Sequence, residues 1–125
     1  MHSEATRARR RAAETRGHRA EDAAVAGLTR DGWAVLARRY RTPLGELDLV
    51  VEREGLLAFV EVKARPTLAD AAHALGPRQR ARLVAAAEVW LAEHPGHGAA
   101  GIRFDVVLVD AAGAVRRIAD AFRQE

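Results

Sequence analysis

Two strand-like runs, Glu46 to Arg53 and Leu56 to Arg65, are separated only by Glu54-Gly55. A two-residue connection between alternating runs specifies an antiparallel hairpin, and the length of the turn fixes the register of the strands. Arg53 then faces Leu56, Asp48 faces Glu61, and Glu46 faces Lys63. Successive strand side chains point to opposite faces. The pattern therefore predicts that Glu46, Asp48, Glu61 and Lys63 leave one face, while Leu47, Leu49, Val60 and Val62 leave the other. Carboxylates directly opposed on a sheet repel each other. A divalent cation between Asp48 and Glu61 would turn that repulsion into ligation.

Lys63 sharpens this reading, because it is the one lysine of a chain that holds nineteen arginines. An ammonium is compact and can give up its proton, whereas a guanidinium stays charged and planar. Mg²⁺ or Mn²⁺ bound through Asp48 and Glu61 would keep several waters and bring the pKa of one toward neutrality. Lys63 would orient that water or help remove its proton. The same residues also fit a plain salt-bridge ladder, with Glu46 on Lys63 and Glu61 on a nearby arginine.

The remaining elements follow from periodicity and breakers. Ala20, Ala24, Val25 and Leu28 recur at helical spacing and Gly32 follows, so a helix is expected to run to about Asp31. Glu21 lies on the apolar side of that helix, where it is either a rim carboxylate paired with an arginine or a functional acid. Trp33 to Tyr40 reads as a strand, broken by Thr42-Pro43-Leu44-Gly45. Residues 66 to 76 connect the hairpin to a second helix, which Pro77 opens and His94-Pro95-Gly96 closes, with Leu83, Val84, Ala87, Trp90 and Leu91 inward. Arg78, Arg80 and Arg82 crowd its first turns, where the helix dipole disfavours cations unless an anion arrives. Ile102 to Asp110 reads as a strand whose run Val106-Val107-Leu108-Val109 is apolar on both faces and hence central in the sheet, and Ala114 to Ile118 follows it. Arg103 and Asp105 share a strand face as a structural pair, and Phe122 is expected to tuck against the body.

A chain of 125 residues suits one domain. With no cysteine it has neither disulfides nor thiolate metal ligands, and its five histidines lack zinc-ligand spacing with an acidic partner. It shows no membrane-length apolar run and no secretory signal, so a cytoplasmic protein away from membranes is expected. The formal charge is +3, and the excess is concentrated at the start, in Arg7, Arg9, Arg10, Arg11, Arg16 and Arg19. A basic arm over residues 1–16, helical or disordered, thus precedes a single domain over 17–125. Such an arm is either a solvated terminus or a sequence-independent contact to phosphates.

The runs Gly45-Glu46-Leu47-Asp48-Leu49-Val50, Phe59-Val60-Glu61-Val62-Lys63-Ala64-Arg65, Gln79-Arg80-Ala81-Arg82-Leu83 and Arg103-Phe104-Asp105-Val106-Val107, closing with Ala121-Phe122, resemble the YraN family of small bacterial proteins. That family is similar to archaeal Holliday-junction resolvases and to the PD-(D/E)xK nucleases. The resemblance implies an α/β, restriction-endonuclease-like fold, a central mixed sheet flanked by helices. It implies metal carboxylates at Asp48 and Glu61, a catalytic lysine at Lys63, an outer or second-metal ligand at Glu21 and a site contact at Gln79, with Glu46 in support. Leu47 stands where the superfamily's proline would be, and the stretch between Arg65 and Gly76 does not match the family's usual Gly-containing loop. The expected activity is hydrolysis of DNA phosphodiesters, branched DNA included, with Arg38, Arg39, Arg41, Arg65, Arg78 and Arg82 holding phosphates. Resolvase relatives act as dimers, which motivates a homodimer. The rival readings are a nucleic-acid-binding module with little turnover, and a partner-binding α/β protein whose acidic patch is incidental.

Overall fold

In a computed structural model, residues 3–67, 76–119 and 121 are described. Helix α1 (Glu4–Arg30) is followed by β1 (Ala34–Thr42), β2 (Gly45–Arg53), β3 (Leu56–Ala64), helix α2 (Pro77–Glu93), β4 (Gly101–Val109) and β5 (Val115–Ile118). The strands form one sheet in the order β1-β2-β3-β4-β5. All neighbours are antiparallel except β3 and β4, which run parallel because α2 carries the chain back between them. This mixed α/β sheet between two helices is consistent with a restriction-endonuclease-like fold.

The hairpin has the expected register, with Arg53 opposite Leu56 and Leu49 opposite Val60. Its turn needs positive φ at both residues, and Glu54 and Gly55 adopt 50° and 80°. Helix α1 begins earlier than its apolar stripe suggests. Ser3 caps it by accepting the Thr6 N–H at 3.1 Å, and residues 4–19 are solvated almost throughout, so the arm and the first helix are one continuous element.

Each face of the sheet carries one helix. Ala20, Ala24 and Leu28 of α1 pack with Trp33, Leu49, Val51, Val60, Val107 and Val109. On the other face Leu83, Ala86, Ala87 and Trp90 of α2 pack with Leu47, Val50, Leu57 and Phe59. Gly45 permits the second contact, since a Cβ there would stand 3.2 Å from the Arg82 carbonyl oxygen. Strand β4 lies inside the sheet with both faces apolar, as its sequence predicts, Val106 and Leu108 on one side and Val107 and Val109 on the other. The Ala121 N–H donates to the Phe104 carbonyl at 2.7 Å, while Phe122 falls outside the described residues.

The alternation fails at one place. Leu47 belongs to the α2 side with Tyr40, whereas Leu49 belongs to the α1 side, so the two do not share a face as their spacing predicts. Strand β1 is irregular over the same stretch. Its register shifts between Val35 and Ala37, and Arg39 has φ 50°, a left-handed conformation that is uncommon for a residue with a side chain.

Candidate active site

Asp48 stands where the alternation slips. The ladder between β2 and β3 is paired as far as Leu49 and Val60, and beyond that point the Val62 N–H donates instead to Asp48 Oδ2 at 2.8 Å. A side chain therefore takes the place of a strand carbonyl, and the two strands part around a carboxylate. Glu61 comes from β3 beside it, only 8% exposed. Val60 and Val62 face α1, which leaves Glu61 and Lys63 on the opposite face, as alternation predicts.

Glu61 Oε1 accepts from Gln79 Nε2 of α2 at 2.9 Å and pairs with Lys63 Nζ at 3.1 Å. These contacts do not offset the cost of the charge. Burial raises the Glu61 carboxyl most, the nearby Asp48 raises it further, and Lys63 opposes both, leaving it at about 7. Burial likewise raises Asp48, against the lowering effect of the Val62 N–H. The two carboxyls act on each other, so they titrate as a pair that holds on to a proton.

Glu21 is 6% exposed and sits in an arginine clamp. Arg38 Nε donates to its Oε1 at 3.0 Å and Arg39 Nε to its Oε2 at 2.9 Å. Arg38 also reaches Asp22 at 2.8 Å, and this hydrogen bond holds the Asp22 carboxyl below its ordinary value. The left-handed Arg39 brings two consecutive arginines to one carboxylate. Glu46 pairs with Arg41 at 3.5 Å and not with Lys63, because the ladder that would have put Glu46 opposite Lys63 has already opened. Arg78 and Arg82 are exposed on α2, which has no acidic residue in its first turn, and Arg65 Nη1 donates to the Ala64 carbonyl at 2.7 Å.

Of the predicted site residues, Asp48, Glu61, Lys63 and Gln79 thus form one contiguous cluster, while Glu21 and Glu46 are engaged by arginines. Among the described residues no three acid, histidine or cysteine side chains converge as a ready cation cage. Two carboxylates with raised pKa values still fit a hard cation that keeps most of its waters, since its charge would stabilise both ionised forms. The Val62 N–H is a participant that side-chain patterns could not reveal, because the main-chain donor becomes free only where the ladder stops. The connection between Arg65 and Gly76 lies largely outside the described residues.

A five-stranded mixed sheet between two helices, with an acid pair and a lysine where two strands part, defines an α/β protein of restriction-endonuclease-like architecture. The chain belongs to uncharacterised protein family UPF0102, the YraN family, whose model matches residues 20–109. It is 62% identical over 107 residues to a UPF0102 protein of Granulibacter bethesdensis, covering 86% of this chain and 68% of that one. It is 50% identical over 106 residues to one of Rhodopseudomonas palustris (85% and 82% covered) and 49% identical over 106 residues to one of Bradyrhizobium diazoefficiens (85% and 80% covered). Among the described residues no helix is long and apolar enough to cross a membrane.

Proposed function

We propose that this protein is a metal-dependent nuclease that hydrolyses DNA phosphodiester bonds, branched DNA among its substrates. The observation that carries the reading is the Asp48–Glu61 pair, Glu61 buried and Asp48 half-buried, set where β2 and β3 part, with Lys63 Nζ 3.1 Å from Glu61. Burying two like charges together is costly without a cation. Asp48 and Glu61 would hold Mg²⁺ or Mn²⁺, which supplies a water acidified toward neutrality and screening of the charge that develops on the phosphate. Gln79 and Lys63 fix the Glu61 carboxylate, and the Val62 N–H fixes that of Asp48, so neither oxygen has to reorient during the reaction. Lys63 presents its ammonium at the same spot to orient the attacking water. Glu21, already held by Arg38 and Arg39, contributes as an outer acid through water.

The test is a cleavage panel of duplex, flap, single-stranded and four-way-junction DNA with Mg²⁺ or Mn²⁺. The expected result is nicking of at least one substrate that Lys63→Ala reduces by about a hundredfold or more while DNA affinity is kept. Absence of product from the wild type on every substrate with both ions would refute the assignment and leave a binding module.

A further inference from the structure

Behind the acid pair, on the α1 side of the sheet, a cavity of about 520 Å³ opens between α1 and the ends of β3 and β4. Arg16, Arg19, Ala20 and Ala23 line it from one side of α1, their spacing of three to four residues placing them along a single helical face. Ala64 and Val109 line it from the sheet, Arg65 stands at its edge, and the turn after β4 closes it. The volume lies within the range of small-molecule and nucleotide sites.

Its lining divides by chemistry. Ala23 and Ala64, half-buried above the buried Ala20 and Val109, form an apolar floor with short side chains, a surface against which a flat ring can lie. Three guanidiniums stand around it. The one carboxylate in the lining among the described residues, Asp110, is turned to the backbone, where its Oδ1 accepts the Ala112 and Ala114 N–H groups at 2.9 and 2.8 Å. Arg16 and Arg19 have no carboxylate partner among the described residues, in contrast to Arg38 and Arg39, whose guanidiniums are occupied by Glu21 and Asp22. Among the described residues Arg65 bonds only a neutral carbonyl. Cations left unneutralised around an apolar floor complement a ligand with anionic and flat apolar parts.

Position narrows the ligand further. Arg65 follows Lys63 by two residues, and Ala20 precedes Glu21, so cavity and acid pair flank the same end of β3 from opposite faces. We propose that the cavity is a subsite for single-stranded nucleic acid, its phosphates on Arg16, Arg19 and Arg65 and one base on the floor made by Ala20 and Ala23. The proposal rests on the nuclease reading only for the direction in which a strand would enter. Binding itself needs no metal.

The experiment is fluorescence anisotropy with a 5′-fluorescein oligothymidylate of about twelve nucleotides, in EDTA so that no cleavage intervenes. The combined variant Arg16→Gln, Arg19→Gln, Arg65→Gln is expected to lose about tenfold or more in affinity, and to lower by about 2 the slope of log affinity against log salt, at roughly 0.7 per lost single-strand phosphate contact. Ala23→Leu fills the floor without touching charge and is expected to weaken binding about threefold or more at an unchanged salt slope. Circular dichroism and a thermal melt confirm that each variant is folded, and Arg7, Arg9, Arg10 and Arg11 changed together to Gln report on diffuse attraction by the rest of the helix. The proposal is overturned if the triple variant binds within about twofold of wild type, or if folded Ala23→Leu binds normally while the arm variant accounts for the loss. A protein that binds the oligonucleotide as expected but cuts nothing would remove the nuclease reading alone. One that cuts but binds indifferently to these substitutions would remove the subsite alone.

Discussion

Two acid centres sit on this sheet, each with a buried carboxylate, and they are built on opposite terms. Asp105, 1% exposed, receives the Arg103 guanidinium at 3.1 and 2.8 Å, with Arg117 at 3.7 Å. Trp33 stacks alongside, its ring 5.6 and 5.4 Å from those two guanidiniums. A carboxylate met by a planar fork gains two charge-assisted hydrogen bonds. Asp48 and Glu61 instead face each other, with one lysine and one neutral amide for company, and both are pushed toward the protonated state. The fold completes one centre from its own residues and leaves the other short of positive charge. That difference separates a structural ion pair from the acid pair proposed to take a cation.

The largest effect that can test the contrast is at the completed centre. Asp105→Ala leaves Arg103 without its partner in the interior, and breaking a buried pair from one side costs about 3–5 kcal/mol. Urea or thermal unfolding should show this loss with and without divalent ions alike. A loss under about 1 kcal/mol would mean that Asp105 does not neutralise this corner of the core.

The pH response tests the incomplete centre. Glu61 is raised from 4.5 to about 7, so the folded state binds its proton more tightly than the unfolded chain does. Its stabilising contribution is full below about pH 4.5 and is lost as pH rises through about 7, an effect of roughly 2–3 kcal/mol. The melting temperature in EDTA should therefore fall over that window. Added Mg²⁺ or Mn²⁺ should restore it, and more strongly above pH 7, where the carboxylates are ionised and a ligand of the folded state stabilises by mass action. A metal response independent of pH would place the ion elsewhere.

Asp48→Asn comes next. The amide oxygen can still accept the Val62 N–H, but the like charge beside Glu61 is gone. We expect the EDTA form to gain about 1–2 kcal/mol at pH 8, the divalent stabilisation to disappear, and nicking to be lost. The same exchange at the other centre, Asp105→Asn, should destabilise. If both substitutions change stability in the same direction, the two centres are not built differently.

Much of this arrangement was legible in the sequence wherever the governing interaction is local. The Glu54-Gly55 turn sets its own register, Pro77 starts α2, His94 ends it, and the apolar run of β4 requires cover on both faces. The Arg103–Asp105 pair, two residues apart on one strand, was equally readable. What escaped depends on contacts between distant segments. Arg39 takes up its left-handed conformation beside Glu21, eighteen residues away, and the slip in alternation parts Leu47 from Leu49 and leaves Glu46 with Arg41. The rule that placed four charges on one patch assumes an unbroken ladder. It holds for Asp48, Glu61 and Lys63, which still meet, and fails for Glu46, which lies beyond the point where the ladder stops and pairs with Arg41. The exposed half of α1 escaped for a different reason: a solvated helix of alanine and arginine has no apolar stripe to reveal it.

The smallest effect separates strain that serves the site from strain that does not. Arg39 and Glu54 are the two non-glycine residues with positive φ among the described residues, both at 50°. Glu54 lies exposed at the hairpin tip, where asparagine suits the same turn better, so Glu54→Asn should stabilise the protein by about 0.5 kcal/mol and leave every site property unchanged. Arg39→Asn relieves the same backbone preference but removes a hydrogen bond to the buried Glu21 carboxylate. It should therefore give a loss of about 1 kcal/mol in place of a gain. Paired melts of the two variants read the difference directly. Equal gains from both would show that the Arg39 geometry is incidental, and that Arg38 alone suffices to hold Glu21.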